Sequence, residues 1–131
     1  MNVTQRKSLF QRFYRECETS DNHFDVDLRS HYYKASFEKV YQAVVDFFKQ
    51  NPDMEIVSES KERGEIGIHM KTSLNAFIVA TVIQVRPFET AVDFKVSTEK
   101  IAITGMYPKL KKLILNFYRV LDQELPPAKQ Q

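Results

Sequence analysis

Cysteine and glycine are scarce in this chain, and it has no long apolar run. Cys17 is the single cysteine among 131 residues, so no intrachain disulfide can form, and a zinc site of the usual several-cysteine kind is excluded. Gly64, Gly67 and Gly105 are the only glycines, too few and too scattered to cradle a phosphate, which excludes nucleotide binding through a glycine loop. The longest apolar stretch, Ala76 to Val82, is far below the roughly 20 residues that span a bilayer. No charged start, apolar run and small-residue cleavage site combine near the N-terminus, so a cytoplasmic location is expected.

What is present belongs to a globular domain. The hydrophobic fraction is 43%, with ten Phe and six Tyr, and a chain of this length can bury a core without staples. The net charge of +2 is unevenly spread: residues 1–18 and 107–125 are each basic, whereas residues 19–106 carry more acids than bases. That distribution argues against a sheet lying on nucleic acid, which needs a concentrated basic face.

Residues 4–17 place Leu9, Phe10, Phe13, Tyr14 and Cys17 at helical spacing among Arg6, Lys7, Arg12 and Arg15, which predicts a short amphipathic helix. From Phe24 to His31 the pattern alternates, as in a half-buried strand, with His23, Asp25, Asp27, Arg29 and His31 on the polar side. Ser36 is a good helix cap, and Phe37, Val40, Tyr41, Val44, Phe47 and Phe48 recur at three and four until Asn51-Pro52 stops the helix. Met54 to Ser60 and Glu65 to Thr72 read as one hairpin, Ala76 to Arg86 and Ala91 to Thr98 as a second, and 99–105 as a loop. Pro108 then opens a helix whose apolar face carries Leu110, Leu113, Ile114, Phe117, Leu121 and Leu125.

The expected fold is therefore α+β: a two-layer sandwich in which an antiparallel sheet of about five strands is covered on one face by two long helices, with a short N-terminal helix added. The expected divisions are an amphipathic helix over 1–18, a single domain over 19–125 and a flexible tail over 126–131.

Residues that could carry chemistry have bland readings. Same-face positions on a strand stand about 6.5–7 Å apart, too far for the His23-to-His31 series to hold a metal unaided, so a solvated strand face is expected and no metal site. None of the serines sits in a strand–turn–helix elbow, and Cys17, on an apolar stripe, reads as a packed thiol. No catalytic, cofactor-binding or metal-ligating residue is assigned. An enzyme would need His31 or His69 beside a carboxylate from another element. Lys109 and Lys112, with Arg119, form a candidate basic patch on the last helix.

In the strand from Ala76 to Arg86, Phe77, Val79, Ile83 and Val85 alternate with Ile78, Ala80 and Val82, so both faces are apolar at its middle. The strand should be central. With two helices on one face, the expectation is that Leu9, Phe10, Phe13 and Tyr14 cover Ile78, Ala80 and Val82 on the other, within one subunit or across a homodimer.

The stretch from Ser36 to Leu125 resembles the family catalogued as domain of unknown function 1499. The resemblance rests on Ile56-Val57, Gly64-Glu65-Ile66, Ile83-Gln84-Val85-Arg86-Pro87, Val92-Asp93-Phe94-Lys95-Val96-Ser97 and a closing helix after Gly105. The serine- and arginine-rich stretch usual in that family reads Ser97 to Gly105 here, without arginine. The resemblance implies the α+β fold and no activity. The function expected is that of a non-enzymatic binding module using an apolar groove or sheet face, its partner a protein or an apolar small molecule. The alternatives are nucleic-acid or anionic-surface binding through the basic terminal helices, and a hydrolase with an unrecognised site.

Overall fold

The computed structural model describes residues 14–103 and 105–128. In chain order the elements are β1 (Glu16–Glu18), a 3-10 turn (Val26–Leu28), β2 (His31–Tyr33), α1 (Phe37–Gln50), β3 (Met54–Ser60), β4 (Glu65–Met70), β5 (Phe77–Arg86), β6 (Glu89–Ser97) and α2 (Tyr107–Glu124). Ser36 accepts the Lys39 N–H at 3.2 Å and so caps α1 as expected. Pro108 lies in the first turn of α2, where its missing N–H costs nothing.

All strands pair antiparallel, in the order β3-β4-β5-β6, and β1 and β2 follow one another along the free edge of β6. Six strands thus fill the five positions expected. Both hairpins form where the sequence places them, and β5 is central. Residues 99–103 and 105 have no regular structure, as expected of a loop.

Three expectations are corrected. The N-terminal helix cannot extend through Cys17, because Glu16 to Glu18 pair with Ser97 to Lys95; residues 4–13, with Leu9, Phe10 and Phe13, lie outside the described residues. The stretch Phe24 to His31 is not a strand. His23 Nδ1 accepts the Asp25 N–H and Asp25 Oδ1 accepts the Asp27 N–H, both at 3.0 Å, and these short-range bonds turn the chain before β2 begins. The tail is not free from residue 126: Lys34 donates to the Pro126 carbonyl and Ala128 donates to the Tyr32 carbonyl, both at 2.8 Å, which covers the outer edge of β2.

The core lies between the sheet and the two helices. Phe94 of β6 is its centre, with ring centroids 6.4 Å from Phe48 of α1, 5.1 Å from Phe117 of α2 and 5.1 Å from Tyr118. Register puts Val96, Ile78 and Ile68 in one row across this face, and Phe94, Ala80 and Ile66 in the next. Burying each such large side chain contributes roughly 1.5–3 kcal/mol, most of it offset by chain entropy.

Candidate functional site

Register decides which side of β5 meets the helices, and it is the side opposite to the one expected. Ile78 and Ala80 are fully buried and Val82 is 2% exposed, packed with their row partners beneath α1 and α2. They are core, so no N-terminal segment can lie on them. The other set faces outward: Phe77, Ile83 and Val85 are each nearly half exposed, and Val79 lies between them in part exposed.

Four rows cross this open face. The first is His69, Phe77, Ser97 and Glu16, and the second is Gly67, Val79, Lys95 and Glu18. The third is Glu65, Thr81 and Asp93, and the fourth is Ile83, Ala91 and Tyr32. Opposite Gly67, β3 carries a bulge, and the exposed Val57 and Ser58 lean over the glycine: a Cβ there would stand 2.3 Å from Ser58 Oγ and 3.8 Å from Val57 Cγ2. At the far end Phe88 occupies the β5–β6 turn with φ +58° and is 73% exposed, beside Val85 and Tyr32 around a cleft of about 690 Å³. An exposed aromatic held in a left-handed conformation is unusual.

The strand charges on this face are Glu16, Glu18, Glu55, Glu65, Glu89 and Asp93 against Lys95 and Arg86, the last paired with Glu89 at 3.3 Å. Lys95 pairs with Glu16 at 3.5 Å, and Lys71 reaches Glu55 at 3.5 Å. Asp93 is committed to structure, since its Oδ1 accepts from Thr19 at 2.6 Å and Ser30 at 2.5 Å, clasping the break between β1 and β2. The result is an apolar stripe along β5 flanked by carboxylates.

Two other polar groupings lie on the helix side. His31 Nδ1 is 2.9 Å from Asp122 Oδ1, which also accepts from the Tyr33 hydroxyl at 2.8 Å, and the His31 ring stacks on Tyr118 at 3.6 Å. Burial, with the Asp122 bond second, pushes the Tyr33 hydroxyl far above its ordinary pKa. The histidine–carboxylate proximity an enzyme would need is therefore met by His31, but the pair lines none of the three clefts described here. It clamps α2 onto β2. The other grouping is Lys111, 2.7 Å from Asp25 and 3.5 Å from Asp27. Burial opposes ionisation of Asp25 more than any single group favours it, but the Lys111 bond, the Asp27 N–H and the Lys111 charge together hold the carboxyl below its ordinary range.

The expected strand face His23-Asp25-Asp27-Arg29-His31 is thus dispersed: Asp25 and Asp27 hold Lys111, Arg29 donates to the His23 carbonyl at 3.0 Å, and His31 meets Asp122. Among the described residues no group of three His, Cys, Asp or Glu side chains could hold a metal ion. Lys109, Lys112 and Arg119 are exposed along one stripe of α2, with Arg119 bonded to Asn116 at 2.7 Å. Tyr14 is 40% exposed and meets Tyr107 edge to face at 6.1 Å. Cys17 is buried, as a packed thiol would be, and desolvation pushes it up to about 11. Among the described residues no helix is long and apolar enough to cross a membrane.

The clefts are peripheral. One of about 840 Å³ lies beside β1 between Tyr14, Phe24 and Tyr107, the second is at the Phe88 turn, and one of about 430 Å³ runs between the outer faces of α1 and α2. The space between sheet and helices is filled by Phe48, Phe94, Phe117 and Tyr118.

No family model matches the sequence, and no curated protein does. Among solved structures the chain is similar to an uncharacterized protein from Bacillus thuringiensis, with a TM-score of 0.57 and 11% identity over 82% of this chain and 93% of that one. It is also similar to a START superfamily protein from Mycobacterium smegmatis, with a TM-score of 0.44 and 12% identity over 83% of this chain and 94% of that one. At 11% identity the first likeness establishes the fold alone, and the second adds no argument to it.

Proposed function

We propose that this protein is a non-enzymatic binding module whose working surface is the open face of its sheet, and that it takes a basic, amphipathic protein segment. The observation that carries this reading is the apolar stripe Phe77, Val79, Ile83 and Val85, left bare by both helices and bordered by Glu16, Glu18, Glu55 and Glu65. Grouped apolar side chains of this kind mark interaction sites, and the carboxylates select the sign of the partner. A filled interior argues against an apolar small molecule held between sheet and helices. The resemblance to the domain of unknown function 1499 family fits this reading without giving any residue of the face a role.

Fluorescence anisotropy with a designed basic amphipathic peptide tests it. Binding is expected to saturate, to weaken with added salt, and to fall roughly tenfold or more in Phe77→Ser or Ile83→Ser, each of which removes a half-exposed apolar side chain of this face. An acidic peptide with the same apolar stripe is expected not to bind. Equal binding of both peptides, or binding untouched by these substitutions, would refute the reading.

A further inference from the structure

We infer that the cleft at the Phe88 turn takes an arginine side chain of the partner segment, an inference that rests on the reading just given and names the residue type that fixes the segment at one end. The apolar stripe from Phe77 to Val85 runs about 27 Å along β5 and ends at this cleft, which Val85 lines together with Tyr32, Phe88, Asp21 and Glu89. A basic segment laid along the stripe therefore delivers a side chain there. β2 supplies Tyr32 through its register with Ala91, and the β5–β6 turn holds Phe88 out into water, so two aromatic rings border one opening.

The walls select a cation. Tyr32 donates its hydroxyl hydrogen bond to Asp21, and Glu89 lines the same opening. The Asp21 bond first, then burial, then the charges of Asp21, Asp93 and Glu89 push the Tyr32 hydroxyl up to about 12, so the charges acting most on it are negative. Two cations also line the cleft: Lys34 is exposed, and Arg86 is paired with Glu89 at 3.3 Å. Glu89 thus serves Arg86, and Asp21 is the carboxylate for an incoming cation. Of the two basic side chains, a planar guanidinium can lie on an aromatic ring and present parallel N–H donors to a carboxylate at the same time, which a lysine ammonium cannot. The left-handed backbone of Phe88 costs stability that its exposed ring does not return through burial, and a bound guanidinium would cover that ring.

Fluorescence anisotropy with two basic amphipathic peptides of equal charge tests this, one with arginine at both ends and lysine elsewhere, the other with lysine throughout. The parent protein is expected to bind the arginine-ended peptide roughly fivefold more tightly, or better. Two variants keep the fold: asparagine accepts the left-handed backbone in Phe88→Asn, and Asp21→Asn retains an acceptor for Tyr32. In each of them the two peptides are expected to bind alike, within about twofold. Phe77→Ser is expected to weaken both peptides equally and to leave their ratio unchanged. Equal binding of both by the parent protein, or a preference for arginine that survives either cleft variant, would overturn the inference while leaving the open face as the binding surface. If neither peptide binds, or Phe77→Ser changes neither affinity, the partner reading fails, and titration of N-acetylarginine amide against the isotope-enriched protein decides the cleft alone. Concentration-dependent shifts of the Phe88 and Glu89 amides, absent in Asp21→Asn, are then expected. Equal shifts with N-acetyllysine amide, or none with either, would overturn the inference.

Discussion

Asp122 accepts two hydrogen bonds from side chains of one short strand, His31 and Tyr33, and only the tyrosine is fully buried. Removing the acceptor strands the Tyr33 hydroxyl away from water, so Asp122→Ala is expected to lower the unfolding free energy by about 1–3 kcal/mol. Tyr33→Phe is expected to cost about 0.5–1.5 kcal/mol, and the double variant less than the sum, because both changes delete one bond. Urea titrations of the three variants measure this. Cys17 supplies a second residue-level test. Its thiol titrates at 9.0 when unperturbed and at about 11 in the fold, so the unfolded chain gives up this proton first, and stability is expected to fall as pH rises from 9 towards 11. Tyr33 and Tyr118, both shifted upward by burial first, add to that loss above pH 10. In Cys17→Ala the part of the loss that begins near pH 9 is expected to vanish, as read from urea midpoints across that range. Burial of Cys17 was legible from its apolar neighbours. The Asp122 clamp was not, since His31 and Asp122 are 91 positions apart and nothing local ties them.

The β3–β4 hairpin carries two glycines with unequal demands. Gly64 has φ +71°, and a Cβ there would stand 2.1 Å from the Val82 carbonyl oxygen, which belongs to backbone that cannot yield. Gly67 meets only the Ser58 side chain, which can rotate. Gly64→Ala is therefore expected to destabilise by at least about 2 kcal/mol, and Gly67→Ala by clearly less, as judged by denaturation midpoints. At the other hairpin Phe88 holds φ +58° with its ring mostly in water. Asparagine tolerates that conformation better, so Phe88→Asn is expected to raise stability by roughly 0.5–1 kcal/mol. Hairpins, helix caps and the Asn51-Pro52 stop were legible because each depends on residues close in sequence. The stretch before β2 misled for the same kind of reason: its alternation was real, but the side chains of His23 and Asp25 captured backbone N–H groups and turned the chain.

At the scale of the whole molecule, the sheet has one face sealed by aromatic packing and one open face on which apolar side chains of β5 stand on either side of Thr81, among carboxylates. That β5 is apolar on both sides could be read from its sequence, but not which side the helices take. The signal lay in its neighbours: Ile66, Ile68, Val92, Phe94 and Val96 pair with the buried set, whereas Glu65, Asp93 and Lys95 pair with the exposed one. Choosing a side required the register, which a strand alone does not contain. The most direct test of the central claim is methyl NMR during titration with the basic amphipathic peptide. The Val57, Val79, Ile83 and Val85 methyls are expected to shift to saturation while those of Ile66, Ile78 and Ile114 stay in place. Movement of the core set with the open-face set unchanged would place the partner between sheet and helices and contradict the account.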